Sequence, residues 1–213
     1  GRFKLLKKAY KKSNISEKED FDKFKSENCY WLNDYAMFMA IKDRFNGQSF
    51  DKWAEDIKLR WEYSMEYYQN ELKDEIEFYK FIQYEFYRQW YKLKKYANEN
   101  GIKIIGDIPI YVAYDSADVW AHPELFQMDE NGKPVAVAGC PPDGFSATGQ
   151  LWGNPLYRWD YHKQTNYDWW IKRIERSVKL YDVVRIDHFR GFDAYYSIPY
   201  GDKTARNGEW KEG

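Results

Sequence analysis

Several things are scarce in this chain, and each scarcity closes a class of function. There are two cysteines, Cys29 and Cys140, far apart and without metal-type spacing. That argues against a disulfide framework or a thiolate zinc site and reads as two reduced thiols in a cytoplasmic protein. No charge dominates: 33 Lys and Arg stand against 34 Asp and Glu, a net charge of -1. A nucleic-acid binder needs a basic face, so that partner is not expected, and neither is an anionic membrane surface. No apolar run approaches the ~20 residues of a membrane span, and no signal-like segment opens the chain. No GxGxxG or GK[ST] run occurs, so the glycine-rich stretches are not phosphate cradles. Asp107, Asp115 and Asp118 lack the spacing of a compact calcium loop, and no metal is expected.

What the chain has in excess is aromatic surface. Phe, Trp and Tyr make up 20% of its 213 residues. One core of that size does not need so many rings, so some are expected to line a surface that stacks on flat apolar faces such as sugar rings. The length suits one domain, or a domain with a subdomain. The start at Gly1 without Met and the stop just after Gly208-Glu209-Trp210 read as an internal piece of a longer protein.

Residues 1–100 read as mainly helical. Trp31 to Met39 repeats apolar residues at i, i+3 and i+4, and Gly47 breaks the pattern. A long helix follows, with Leu72, Ile76, Tyr79, Ile82, Phe86, Trp90, Leu93 and Ala97 on one face, expected to pack. Gly101 supplies a left-handed stop. Residues 101–213 have another character. Ile102 to Ile105 reads as a short buried strand ending at Gly106-Asp107. Residues 108–161 read as a long, irregular, ring-bearing excursion, ordered because of its aromatics and functional because of its length. A helix with Trp170, Ile174 and Val178 on one face follows, capped by Thr165 or Asn166. Val183 to Ile186 is then a second buried strand. Strand, helix and strand make a βαβ unit, so the two strands should be parallel, with chemistry at their C-terminal ends.

Two aspartates sit at those ends, Asp107 and Asp187. Alternation puts Arg185 and Asp187 on one side of the second strand. A fixed carboxylate beside a cation suits a glycosyl nucleophile, which needs a second, protonated carboxyl about 5–5.5 Å away for a retaining reaction. A solvated turn aspartate is the plain alternative for Asp187, and a turn residue before Pro109 for Asp107. His188 reads as a donor to a substrate hydroxyl or as a packed core histidine. The run from Pro142 to Pro155 reads as a lid with ring platforms, Phe145 and Trp152, or as a surface Ω-loop.

The runs GDIPIYV (106–112), DSADVW (115–120), PPDGFSATGQLWGNPLY (141–157) and RIDHFRGF (185–192) resemble the 4-α-glucanotransferase family, the amylomaltases or disproportionating enzymes of the α-amylase superfamily. WLNDYA (31–36) and Gln89-Trp90 are similar to that family's helical insertion. The resemblance implies an α/β fold, part of a (β/α)8 TIM barrel, with the helical insertion subdomain before the third strand and a substrate loop at 108–161. It implies retaining transfer of an α-1,4-glucan segment to glucose or another glucan, without a cofactor. In that likeness Asp187 is the nucleophile and Arg185 its pairing partner. Asp107 is the acid of the preceding strand, and His188 touches the sugar beside the cleaved bond. Gln150, Trp152 and Phe145 hold donor and acceptor glucan. Ala147 departs from the acidic residue often found in the FSxTGQ segment. The family's acid/base Glu and third Asp belong to later strands and have no counterpart motif here, so the chain by itself is expected to be inactive and to self-associate through open sheet edges. A related retaining hydrolase, a non-catalytic glucan-binding piece and a purely structural piece are the competing readings.

Overall fold

The computed structural model describes residues 1–15 and 18–213. The chain divides into two compact units, Gly1–Tyr96 and Ala97–Gly213.

The first unit is helical. Its helices are α1 (Arg2–Lys12), α2 (Glu19–Glu27), α3 (Cys29–Arg44), α4 (Glu55–Lys58), α5 (Glu62–Glu71) and α6 (Lys73–Glu99), the last of which runs across the division. The apolar spacing read in α3 marks residues that are buried, but burial extends beyond one face: Leu32, Ala36, Met37, Phe38, Ala40 and Ile41 are all enclosed. Past its end, the Gly47 N–H donates to the Lys42 carbonyl at 2.8 Å with φ at +77°, a left-handed stop that suits glycine. The stripe expected along α6 holds for only part of the helix. Ile76, Phe78, Tyr79, Phe81 and Tyr87 are buried, whereas Phe86 and Leu93 are 51% and 55% exposed. The rings that cover α6 come from α1, α2 and α3: Phe3 and Tyr10 reach Phe78, Phe21 and Phe24 reach Tyr84, and Tyr35 and Trp31 reach Tyr79 and Tyr87. Periodicity marks a face but does not say how far a partner extends along it.

The second unit holds two sheets. β1 (Ile105–Pro109) and β4 (Val183–Asp187) pair in parallel. An antiparallel sheet of order β3-β2-β5-β6 is built from β2 (Ala136–Cys140), β3 (Gln150–Pro155), β5 (Ala194–Pro199) and β6 (Glu209–Glu212). Three helices join them: α7 (Ala117–Ala121), α8 (Trp159–Gln164) and α9 (Asp168–Leu180). The parallel pairing expected of a βαβ unit is present, with Asp107 opposite Arg185 and Pro109 opposite Asp187.

Several local expectations are corrected. The first strand runs over 105–109 rather than 102–105, so Gly106 and Asp107 lie inside it. Ile102 is taken up in closing α6: its N–H returns to Ala97 at 2.9 Å behind Gly101, whose φ is +74°. Pairing begins at Ile104, whose carbonyl receives the N–H groups of Asp182 and Val183 and whose own N–H donates to the Asp182 carboxylate at 2.8 Å. Gly106 is required by close approach, since a Cβ there would lie 2.0 Å from the Tyr181 ring. The strands are not fully buried either. Exposure alternates along both, leaving Ile105 at 70% and Val183 at 48%, because α9 packs against the pair while the face carrying residues 105, 107, 183, 185 and 187 stays open.

The stretch 108–161 is less irregular than expected. It contains α7, β2, β3 and the start of α8. α9 is capped by neither Thr165 nor Asn166: its N-cap is Tyr167 in a left-handed conformation with no side-chain bond. The Thr165 hydroxyl instead donates backwards, to the carbonyls of Tyr161 and His162 in α8. A hydroxyl between two closely spaced helices can serve either, and here the preceding one takes it.

Candidate active site

The open face of β1 and β4 carries the acids. Asp107, Arg185 and Asp187 all project from it, since residues two apart on a strand share a side. Arg185 makes a forked ion pair with Asp107: Nε donates to Oδ1 at 3.0 Å and Nη2 to Oδ2 at 2.7 Å. Nη2 reaches Asp187 Oδ1 only at 3.5 Å. The guanidinium expected to pair with Asp187 therefore grips Asp107 first. Register explains it, because Asp107 lies directly opposite Arg185 while Asp187 lies two residues farther along, roughly 6–7 Å away. The Asp107 carboxylate, with Asp187 adding to it, raises the Arg185 pKa above its ordinary value. Arg185 is thus a permanent cation whose fork is filled by one acid and whose edge is shared with the next. All three side chains are more than half exposed, so the arrangement positions charge rather than adding stability.

The residue after Asp187 turns the chain sharply. His188 is left-handed, with φ at 54° and ψ at 45°. Its ring is half-buried and perpendicular to that of Trp152, with centroids 4.9 Å apart, and Tyr111 lies 6.5 Å away. Burial lowers its pKa below the usual imidazole value; the Asp187 charge raises it and Arg190 lowers it further. Its Nε2 is buried without a hydrogen-bond partner. A mainly neutral imidazole at neutral pH, with an unsatisfied nitrogen next to the Asp187 strand end, has polar capacity to offer a ligand.

Trp152 and Gln150 lie together on β3. The indole Nε1–H donates to Gln150 Oε1 at 3.0 Å, and Tyr111 stands 6.3 Å from the indole. Phe145 is elsewhere: it is wholly exposed at a loop tip where Asp143 Oδ1 accepts from the N–H groups of Phe145 and Ser146. The structure therefore groups Asp107, Arg185, Asp187, His188, Trp152 and Gln150 in the second unit, with Phe145 outside that grouping.

Two members of the neighbourhood were not singled out from sequence. Tyr111 follows β1 and touches both Trp152 and His188, and burial pushes its phenol pKa up, keeping a neutral donor. Asn154 Nδ2 donates to the Val112 carbonyl at 2.8 Å, tying β3 to the chain leaving β1. The only available signal was their place inside the long motif runs. Among the described residues, no group of three or more His, Cys, Asp or Glu side chains is arranged to hold a metal, and no helix is long and apolar enough to cross a membrane.

Comparison with known proteins finds relatives over the whole of this chain. A family profile described as 4-α-glucanotransferase matches residues 1–213. A 4-α-glucanotransferase of Clostridium butyricum is 54% identical over 213 residues, 100% of this chain and 44% of its own length. One from Aquifex aeolicus is 49% identical over 206 residues, covering 97% of this chain and 42% of that protein. The solved amylomaltase of Streptococcus agalactiae, in complex with acarbose, superposes with a TM-score of 0.94 at 46% identity, covering 100% of this chain and 43% of that one. An amylomaltase from Corynebacterium glutamicum shares the fold alone, with a TM-score of 0.78 at 20% identity. The chain thus spans less than half the length of the relatives it matches. By whole-length profile match and close relatives, this chain belongs to the 4-α-glucanotransferase family.

Proposed function

We propose that this chain carries the nucleophile half of a retaining 4-α-glucanotransferase, which moves an α-1,4-glucan segment to glucose or another glucan through a covalent glucosyl-Asp187 intermediate. The observation that carries the reading is the shared face of β1 and β4, where an Arg185 fork joins Asp107 and borders Asp187 in a chain of this family. Asp187 attacks the anomeric carbon. The leaving 4-oxygen takes its proton from a general acid other than Asp107, whose oxygens are engaged by Arg185. An incoming sugar hydroxyl, giving its proton to that same group now acting as base, then displaces the aspartate with net retention. His188 and Gln150 supply polar contacts to sugar hydroxyls, and Trp152 supplies a ring face. Phe145 acts from its exposed loop on the acceptor glucan, favouring sugar over water.

We place β1 and β4 as neighbouring strands of a (β/α)8 barrel, with the helical unit an insertion before them. The apolar side chains left open on the pair support this, since parallel strands are usually covered on both faces. The two free cysteines fit a reducing compartment such as the cytoplasm. No step of the scheme calls for a cofactor. The 213-residue chain alone is expected not to disproportionate maltotriose, and to self-associate through the outer edges of β1 and β4, which sedimentation velocity reads directly.

The test uses the complete gene product and maltotriose. Glucose together with longer maltooligosaccharides is the expected product set, and Asp187→Asn should lower kcat by more than ~10³-fold. Reducing sugar without chain lengthening would favour a hydrolase. A wild-type protein without turnover, whose glucan binding survives Asp187→Asn but disappears on Trp152→Ala, would favour a binding module.

A further inference from the structure

Arg173, on α9, has a set of contacts that the chemistry above does not use. Its Nη2 donates to the Pro109 carbonyl at 2.5 Å, and its Nη1 donates to the Ile110 carbonyl at 3.0 Å and lies 3.1 Å from the Tyr157 hydroxyl. The Tyr157 hydroxyl itself donates to the Ile110 carbonyl at 2.7 Å. The guanidinium lies over the rings of Trp170 and Trp169, at 4.9 and 5.3 Å from their centroids, which orients its plane. Two consecutive carbonyls, at the point where β1 stops pairing, are therefore held by one oriented cation. A strand end without such partners is free to move, and the segment here is the one that leads into the site.

The connection onward is short. Pro109 is the register partner of Asp187. Ile110 and Tyr111 flank Gly191, where a Cβ would lie 2.8 Å from Ile110 Cδ1 and 3.0 Å from the Tyr111 hydroxyl. The Tyr111 ring touches Trp152 and His188. Moving Pro109–Tyr111 would move the turn that holds His188 and the indole packed on it.

We propose that Arg173 is a positioning residue for glycosyl transfer: it locks the end of β1, and through Ile110 and Tyr111 it places His188 and Trp152 relative to Asp187. This rests on the glucanotransferase reading above. The competing role is a purely structural tie between α9 and β1. Arg158 provides a matched comparison, because its guanidinium also donates to a backbone carbonyl, that of Glu124, at 2.9 and 2.6 Å, and stacks on Tyr161 at 5.1 Å. None of those contacts is with Asp187, His188 or Trp152.

The experiment compares Arg173→Met, Arg173→Lys and Arg158→Met in the complete gene product. Three readouts are taken: melting temperature, kcat and KM for maltotriose, and the titration of His188 followed by 13C-labelled histidine NMR, with the resonance assigned by its loss in His188→Gln. Arg173→Met should lower kcat by about tenfold or more while KM changes by less than about threefold, since groups bind but are misplaced for the transition state. Arg173→Lys should keep most of the melting temperature and recover part of kcat, because an ammonium can reach one carbonyl but lacks the fork for both. Arg158→Met should lose stability and keep kcat. The groups with charge facing His188 are Asp187 and Arg190. With those unchanged, looser ring cover in Arg173→Met should move the His188 titration up toward the ordinary imidazole value, and Arg158→Met should not move it. The proposal is overturned if Arg173→Met and Arg158→Met lose kcat in proportion to lost melting temperature and both leave the His188 resonance where it was. Should the wild-type protein fail to transfer glucan at all, the functional reading falls alone, and the His188 titration still decides whether Arg173 places that ring.

Discussion

Rings in the helical unit are held largely by one another, whereas in the strand-bearing unit more of their polar tips serve irregular backbone. In the first, Phe78 lies between Phe3, Tyr10 and Tyr79, and Phe21 and Phe24 meet Tyr84 across helices. Apart from the Phe78–Tyr79 pair within α6, these are side-chain contacts between helices whose backbones satisfy themselves, and a ring tip there serves a carbonyl between helices, as Trp53 does for Gln48. In the second unit, ring tips serve irregular backbone. Tyr157 donates to Ile110, Tyr196 to Ala205 and Tyr114 to Gly132. Loops and strand ends expose carbonyls that helices do not, and an aromatic ring with a polar tip can bury area and satisfy a carbonyl at once. The contrast teaches that the aromatic excess has two causes, and that only the second is tied to the candidate site.

The largest effect should come from removing a ring that is held by packing alone. Phe78→Ala is expected to destabilise by about 3–5 kcal/mol in chemical denaturation of the complete gene product, because the residue is almost completely enclosed. A loss under ~1 kcal/mol would erase the distinction between the units. Gly191→Ala tests the second unit's tighter tolerance. The new methyl meets Ile110 and Tyr111, so a cost of about 1–3 kcal/mol is expected, with disturbance of His188 visible in its titration. An unchanged melting curve would mean that the turn has room the geometry denies.

Acid should separate the units next. All three histidines, His122, His162 and His188, lie in the second unit. His162 is fully enclosed among Tyr157, Trp159 and Trp169. Its Nε2 lies 3.1 Å from the Leu125 carbonyl, and its Nδ1 has no partner. Burial lowers its pKa in the folded state, and nearby Arg158 lowers it further, against the pull of the Leu125 carbonyl and Asp160. Below the unfolded imidazole value of about 6.5 the unfolded chain therefore binds more protons at this site, and stability falls with pH, by up to ~1.4 kcal/mol per unit for one proton. Above that value the contribution is fully present. His162→Gln should flatten the acid limb of melting temperature against pH; an identical limb in the variant would remove His162 from the account. The smallest effect belongs to Phe145→Ala. Wholly exposed, it should change stability by less than about 0.5 kcal/mol, while altering the ratio of transfer to hydrolysis. A substantial stability loss would show that the ring packs somewhere.

The helices of the first unit were legible because their evidence is local. Spacing at i, i+3 and i+4 identifies α3, and Gly47 and Gly101 mark where α3 and α6 end. The exposed second half of α6 was not legible, since what covers a face is not written in that face. In the second unit the parallel order of β1 and β4 and the shared side of Arg185 and Asp187 followed from alternation and connection length. The start of β1 was misplaced because Ile102 to Ile104 look like a strand to any propensity argument, yet are committed to closing α6 and to Asp182. The excursion at 108–161 looked irregular because the strands within it, β2 and β3, are short and glycine-bearing.

By itself the order of residues determined the family, the helical character of the first unit, the parallel pair, and that Arg185 and Asp187 share a side, because each is carried by local pattern or by long matching motifs. Tertiary structure alone decided that Arg185 grips Asp107 before Asp187, that Trp152 and Tyr111 meet at His188 while Phe145 does not, and that Arg173 holds the end of β1. Those outcomes depend on register and on partners some 35 to 80 residues apart, where small differences in distance choose one ion pair or ring contact over another, and no one-dimensional pattern encodes that choice.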